Sequence, residues 1–516
     1  MDTRPAELTL EHLLCGLGIP ERTLSLGALG RLPIKSAAID SRLASPGCLF
    51  IALHGERHDG HQFIADAVSR GAVAILAESK PELPCTLVWV GDDGPTGGGR
   101  VLAELEEARV ARAEGMQVGG RRSDLPVCLV VPDTLRALHR IAAYWRRQHD
   151  VHVIGVTGSV GKTTCKEVIA MVLSQRYPTL KTEGNYNNEI GLPLSLLHLR
   201  AHHERVVLEM GMYDLGEIAQ LAEISLPRVG VLTNVGPTHL ERLGTIERIA
   251  QAKAELPQAL PPASEGGVAV FNADDDWVMG MVGQTQARVF TYGLNSGADL
   301  WADEIESEGL EGIYFRFHYG NESIRTRVPL LGRHSVHTAL CGAAVGLVEG
   351  LAWEEIVEGL HDRSSQLRLV AVRGPHGSTI LDDTYNASPA STIAALNLLQ
   401  ELKLGNNGGR TIAVLGDMYE LGVYEEEGHK LVGRRARDVA DILVTVGTLG
   451  RMIGLEALKV GMPKASVYMV ETNAEAIDLV RSLIRPSVGG DKILVKGSRG
   501  MAMEEIVVAL HGGVPS

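Results

Sequence analysis

The sequence predicts an α/β chain in three domains: a small α/β N-terminal domain over 1–150, a central parallel-sheet domain over 151–363 and a C-terminal Rossmann-like domain over 364–516. Three observations carry this prediction. The 516 residues exceed one ordinary domain and suggest about three. From His152 onward, short apolar runs alternate with helix-period stretches, and the alternation starts afresh near Ser364, as in doubly wound sheets. Between the first of these runs and its helix stands the glycine-rich octet Thr157-Gly158-Ser159-Val160-Gly161-Lys162-Thr163-Thr164.

In the first block, Cys48 to Leu53 and Ala72 to Leu76 read as strands around a helix-like Gln62 to Arg70. Two glycine-rich stretches, Gly91 to Gly99 and Gly119-Gly120, bracket a charged Ala/Glu/Arg-rich segment from Val101 to Glu114. That composition predicts a flexible insertion over about 91–125, either a solvated surface helix on mobile arms or a partner-binding element.

The central block opens with Val151 to Val156 as a buried strand and continues, after the octet, with a helix over Cys165 to Leu173. A strand feeding a glycine turn and a helix start aims backbone N–H groups and the positive helix end at one point, and Lys162 adds a mobile charge. Gly158, Ser159, Val160, Gly161, Lys162, Thr163 and Thr164 are therefore candidate triphosphate contacts, which makes the central block a P-loop ATPase domain. Val156 stands where the longer form of the motif has a further glycine, so this is the short T-G-x-x-G-K-T variant.

Further strands follow at Arg205 to Glu209, Val229 to Thr233 and Val268 to Phe271, with a ligand edge expected at their C-terminal ends. Glu209 ends the first of these. A carboxylate there suits Mg²⁺, a hard cation that shares oxygen ligands with phosphates and with a hydroxyl such as that of Thr163; pairing with an arginine is the competing account. His239 lies in the loop after the second strand. Lys253 falls at helical spacing with Ile246, Ile249 and Ala250, so either its stem snorkels to water or its amine is desolvated and reactive.

In the third block the strands are Thr379 to Leu381, Thr411 to Leu415, Ile442 to Val446 and Lys492 to Val495. The first runs into Asp382-Asp383-Thr384-Tyr385-Asn386, which either binds ligand or caps the helix Ala390 to Leu399. Gly416 to Gly422 and Lys496 to Gly500 follow two further strands.

Composition narrows the setting. With 49 basic and 63 acidic residues the net charge is −14, against nucleic acid or an anionic membrane as default partner. Six scattered cysteines without a C-x-x-C pair indicate neither a disulfide framework nor a cysteine zinc site. The start lacks an apolar signal core and no apolar run is long enough to span a bilayer, so a cytoplasmic monomer without membrane insertion is expected.

Together the octet, Glu183-Gly184-Asn185-Tyr186-Asn187-Asn188-Glu189, Glu209-Met210-Gly211-Met212, Asp383-Thr384-Tyr385-Asn386-Ala387 and Val495-Lys496-Gly497-Ser498-Arg499 resemble the Mur ligase family. The amide-rich Asn185–Asn188 stretch and the Glu-Met-Gly-Met segment resemble the branch that couples D-alanyl-D-alanine to UDP-N-acetylmuramoyl-tripeptide. That resemblance implies ATP and Mg²⁺ as cofactors, these two small molecules as substrates, and an acyl phosphate on the way to the new amide. It implies catalytic roles for Lys162, Glu209, His239 and Lys253, and a metal held by Thr163, Glu209, His239 and a carbamylated Lys253. It adds ATP contacts from Arg368, Asp383 and Asn386, and substrate contacts from Asn185, Asn187 and Asn188.

Ile39-Asp40-Ser41-Arg42, followed by Pro46-Gly47 and Asp59-Gly60-His61, resembles a uridine-nucleotide site, which implies Ser41 and Arg42 as substrate contacts. Ser335 and Thr338 stand where relatives carry asparagines, and the segment before Arg368 lacks a glycine that relatives have. Rival expectations are a diamino-acid-adding ligase, a folylpolyglutamate synthase-like enzyme, and a nucleotide-gated binding protein that does not ligate.

Overall fold

A computed structural model describes residues 5–19, 29–55, 58–91, 125–362, 369–405, 409–486 and 490–512. The predicted insertion over 91–125, its two end residues apart, and Arg368 lie outside the described residues. By packing the chain falls into two compact units: Met1–Gly155 with Tyr177–Met210 and Ala219–Pro227, and Val156–Arg176 with Gly211–Ile218 and Arg228–Ser516.

The strands in chain order are β1 (Leu8–Thr9), β2 (Pro33–Ile34), β3 (Ser36–Ala38), β4 (Cys48–Ile51), β5 (Ala72–Ala77), β6 (Thr86–Trp89), β7 (Val127–Val130), β8 (His152–Thr157), β9 (Thr179–Lys181), β10 (Arg205–Glu209), β11 (Val229–Leu232), β12 (Val268–Asn272), β13 (Arg288–Gly293), β14 (Leu300–Ser307), β15 (Ile313–Tyr319), β16 (Glu322–Val328), β17 (Val370–Arg373), β18 (Thr379–Asp382), β19 (Thr411–Leu415), β20 (Ile442–Val446), β21 (Val467–Val470) and β22 (Lys492–Lys496). In the smaller unit β3-β4-β5-β7-β6 form a parallel sheet, and β1 pairs with β2. β4 and β7 are buried along their whole length, the continuous apolar pattern that a sheet covered on both faces requires. The helix expected over Gln62 to Arg70 divides into a 3₁₀ turn, Gly60–Phe63, and an α-helix, Ile64–Ser69.

A nine-stranded sheet runs β16-β15-β14-β13-β12-β11-β8-β10-β9. It is mixed rather than wholly parallel: β11 to β14 pair in parallel, then β14, β15 and β16 continue as an antiparallel meander. The cause is local. Ile313, Phe315 and Phe317 alternate into the core, and Gly320 at φ +56° closes the tight turn between β15 and β16.

The six-stranded sheet β17-β18-β22-β19-β20-β21 lies wholly in the larger unit and is parallel except for edge strand β17. Its two faces carry separate apolar clusters, one around Leu399, Leu415 and Val432, the other around Val414, Val444 and Ile506. Both faces being covered fixes the strands, so their C-terminal ends carry the polar loops as a rigid edge. Among the described residues no helix is long and apolar enough to cross a membrane.

Candidate functional site

The glycine-rich octet turns from β8 into the helix Lys162–Leu173, somewhat longer than the sequence suggests. Gly161 holds φ +86° at the helix N-cap with open space where a side chain would project, as a turn hugging a ligand requires. Gly158 is needed for the opposite reason: a Cβ there would lie 1.9 Å from Thr233 Oγ1. The residues after β11 brace the loop. Asn234 Oδ1 accepts from Val160 N at 2.9 Å, Asn234 Nδ2 donates to Val160 O at 2.8 Å, and Thr233 Oγ1 donates to the same carbonyl at 2.8 Å.

Ser159 Oγ exchanges hydrogen bonds with Gly236. Lys162 Nζ folds over the turn onto Gly158 O at 2.8 Å and Ser159 O at 3.3 Å. The open turn at Gly161, the start of the helix and the lysine together suit a polyphosphate. Sequence reasoning missed Thr233 and Asn234 because their partners lie about seventy residues away in the chain.

Lys253 sits on the helix Ile246–Gln258 and is only 2% exposed, so its stem does not snorkel to water. Burial first, and the positive charge of Lys162 second, hold its amine well below the usual lysine range. That favours the neutral, nucleophilic form.

His239 precedes the short helix Leu240–Leu243 with a left-handed backbone, φ +57°. Tyr213 packs edge-on against its ring at 5.2 Å between centroids, and Arg242 lies 5.0 Å from the Tyr213 ring centre. Glu420 Oε2 reaches His239 Nδ1 at 2.7 Å, and this contact is the main cause that holds the Glu420 carboxyl below its usual range. The approach lies off the direction of a hydrogen bond, which leaves the buried Nδ1 without an aligned partner.

At the third-block edge, Asp383 Oδ2 pairs with Lys496 Nζ at 2.7 Å, and Lys496 also donates to Asn386 O at 2.8 Å. Lys496 is 2% exposed, and sequence reasoning did not single it out although its motif was in view. Capping of the helix Pro389–Gly405 falls to Ser388, whose Oγ accepts from Ser391 N, so Asp383 is not spent as a cap. Asn386 Oδ1 accepts from Ala387 N. Ser335 Oγ bonds back to Leu331 O, while His337 Nε2 meets Asp274 Oδ2 at 2.8 Å.

In the smaller unit, Asn187 Nδ2 donates to Glu209 Oε1 at 2.8 Å, and Thr182 Oγ1 accepts from Glu209 N at 3.2 Å. The buried carboxylate at the end of β10 is thus held by an amide. Asn188 Oδ1 takes Ile190 N and Gly191 N and so starts the helix Gly191–Leu196, while the Asn185 carbonyl accepts from Asn187 N. Ser41 is buried beside Asp66, whose carboxyl it holds down, and Arg42 lies on Asp40 with most of its side chain in solvent.

Within the larger unit the Thr163 hydroxyl is an oxygen donor of the kind a hard divalent cation takes, His239 offers an imidazole, and the desolvated Lys253 amine would supply oxygen only once carbamylated; in the smaller unit Glu209 offers a buried carboxylate.

Family models match the chain in three stretches: the Mur ligase family catalytic domain over 33–122, the Mur ligase middle domain over 156–346, and the Mur ligase glutamate ligase domain over 367–499. A Bacillus subtilis protein named UDP-N-acetylmuramoyl-tripeptide--D-alanyl-D-alanine ligase is 35% identical over 92% of this chain and 92% of its own. The Escherichia coli protein of the same name is 32% identical, covering 93% of this chain and 94% of its own. Among solved structures, MurF from Acinetobacter baumannii superposes with TM-score 0.78 at 30% identity over 98% of this chain and 99% of its own. MurF ligase from Thermotoga maritima in complex with ADP gives 0.71 at 26% identity over 93% and 97%. The three matched stretches, the near full-length relatives and the three-domain α/β fold agree: the chain belongs to the Mur ligase family.

Proposed function

We propose that the chain is an ATP-dependent amide ligase of the cytoplasm that adds D-alanyl-D-alanine to UDP-N-acetylmuramoyl-tripeptide, with domains over 1–150, 151–363 and 364–516. The names of relatives matching over nine-tenths of both chains support the substrates. The observation that carries the chemistry is the buried Lys253 amine in the electrostatic field of Lys162, behind an open phosphate turn.

In this reading the tripeptide carboxylate attacks the γ-phosphorus of ATP, ADP leaves and an acyl phosphate forms. The dipeptide amine then attacks the acyl carbon, and phosphate departs as the amide closes. Charge sets the first barrier: two like unit charges about 4 Å apart repel by roughly 4 kcal/mol at an effective dielectric near 20. Lys162, now on Gly158 O and Ser159 O, swings to the phosphates. The first-turn N–H groups donate to the phosphate oxygens on which charge builds, and this preset orientation is the main catalytic contribution.

Lys253, neutral, adds carbon dioxide: a C–N bond forms, a proton leaves to solvent and a carboxylate-like group results. Thr163, His239 and carbamylated Lys253 in the larger unit, and Glu209 in the smaller, are the residues proposed to hold Mg²⁺. When bound, the ion neutralises developing phosphate charge. Asn187 holds Glu209 in place. Asp383, seated by Lys496, is the proposed nucleotide contact of the third block together with Asn386 and Arg368. Ser41, Arg42, Asn185, Asn187 and Asn188 remain the proposed substrate contacts.

One substrate panel tests the reading: purified protein, ATP and Mg²⁺ with UDP-muramoyl-tripeptides, offered D-alanyl-D-alanine, single amino acids or folate. Phosphate release that requires both the tripeptide and D-alanyl-D-alanine is the expected result. ATP binding without such coupling would leave a non-ligating nucleotide-binding protein in its place.

A further inference from the structure

The loop after β19, Gly416 to Gly422, has no part in the reading above, yet it is among the most constrained segments of the larger unit. Met418 and Leu421 are buried in the third-block core, Met418 N donates to His429 Nε2 at 3.1 Å, and Tyr419 N donates to Ser498 Oγ at 2.8 Å. Between these anchors Glu420 is pushed outward on a left-handed backbone, φ +64°, which a side-chain-bearing residue adopts only when its surroundings impose it. Its half-exposed carboxylate ends 2.7 Å from Nδ1 of His239, itself in a left-handed conformation. Two residues on, Gly422 lies flat on the start of the helix Leu240–Leu243: at φ +52°, a Cβ there would sit 2.8 Å from Glu241 N. The loop is therefore mounted rigidly on one domain and fitted by backbone contact and one carboxylate to the histidine of another.

We propose that Glu420 is a positioning residue for His239, and that docking of the Gly416–Gly422 loop on the helix Leu240–Leu243 and divalent-metal binding at His239 are thermodynamically linked through this contact. The inference rests on the metal role given to His239 above. Although it is not aligned as a hydrogen bond, a carboxylate 2.7 Å from Nδ1 favours by its charge the tautomer protonated there and so leaves Nε2 for the ion, much as outer carboxylates commonly tune histidine ligands. With the loop undocked, His239 keeps the Tyr213 ring as a lateral support. Linkage is reciprocal, so the factor by which docking strengthens metal binding equals the factor by which metal stabilises docking.

Mn²⁺ serves as the probe, since it accepts the same carboxylate and imidazole ligands and is read directly by paramagnetic resonance without turnover. In the full chain with ADP, Glu420→Gln should weaken Mn²⁺ binding by about 10–100-fold, the usual cost of losing such an outer partner, and Glu420→Asp should recover part of it. Gly422→Ala leaves the carboxylate in place but blocks the approach, and should show the same defect. In the unaltered protein Mn²⁺ with ADP should slow amide hydrogen exchange across 417–424, and in Glu420→Gln it should not. Mn²⁺ affinity in Glu420→Gln equal to that of the unaltered protein, or exchange across 417–424 indifferent to Mn²⁺, overturns the proposal. Failure of the ligation panel with the unaltered protein would refute the proposed function instead, since neither binding nor exchange requires the peptide substrates.

Discussion

The strands β8 and β20 each turn through glycines into a helix, and the two turns face opposite fates. After β8, Gly161 holds φ +86° with open space before it at the N-cap of the helix Lys162–Leu173. After β20, Gly447 holds φ +90° in a comparable turn, but the start of the helix Gly450–Lys459 is already taken: Asp417 Oδ1 accepts from Gly450 N at 2.6 Å, and a Cβ on Gly447 would lie 2.5 Å from that oxygen. A helix start attracts an anion in either place. In one the anion must arrive from solution, and in the other the neighbouring strand β19 delivers it through its following loop. A Rossmann-like topology therefore does not by itself make a nucleotide site; the occupant of the turn decides.

The comparison is broken most directly at Lys162. Lys162→Ala removes the open turn's only side-chain cation and should lower ligation by at least about 10³-fold while the circular dichroism spectrum stays that of the unaltered protein. Ligation that survived the change would mean that the turn after β8 is not the nucleotide cradle. Gly158→Ala should be next in size. Its Cβ collides with Thr233 Oγ1, which is itself tied to Val160 O, so the turn has to shift as a whole. A displacement of about 1 Å at reacting groups costs on the order of 10²-fold, to be read as ATP-dependent turnover.

Lys253 sharpens the contrast from behind the cradle. Replacing it with methionine removes a desolvated amine while keeping the volume, so the fold should gain stability as function is lost. Tm should rise by about 2–4 °C for each roughly 1 kcal/mol of burial cost removed, as scanning calorimetry without ligand would report. In Lys253→Ala, bicarbonate with a short-chain carboxylate should restore part of the ligation. An unchanged Tm in the methionine variant would show that the amine is better solvated than its burial implies.

Much of this was legible in the chain. The phosphate turn is a local pattern, eight consecutive residues whose chemistry does not depend on distant partners. The strands β10, β19, β20 and β22 were likewise readable as short buried runs with turn signals. What could not be read are choices made across long loops. Lys253 on an apolar stripe left snorkelling and desolvation both open, with snorkelling the plainer expectation, and the packing around it separates them. Nothing near Asp417 in sequence distinguishes a ligand contact from a helix cap, because its partner Gly450 lies on the next strand's far side. The meander β14 to β16 was absorbed into a parallel reading because its alternation begins in a region where every earlier strand paired in parallel. Lys496 was passed over for the same reason as Thr233: its partners Asp383 and Asn386 are more than a hundred residues away.

The smallest expected effect is the most discriminating for the comparison itself. Asp417→Ala withdraws the carboxylate from the helix Gly450–Lys459 and leaves the Gly450 N–H without its acceptor at a buried turn. Loss of such a cap costs about 1 kcal/mol, so the urea midpoint should fall modestly. The KM for ATP should not move, because the carboxylate is engaged within the third block, by Gly450 N and the Tyr419 hydroxyl. A raised KM with unchanged stability would assign Asp417 to the substrate instead, and the two turns would then be two halves of one binding surface rather than one open cradle and one closed from within.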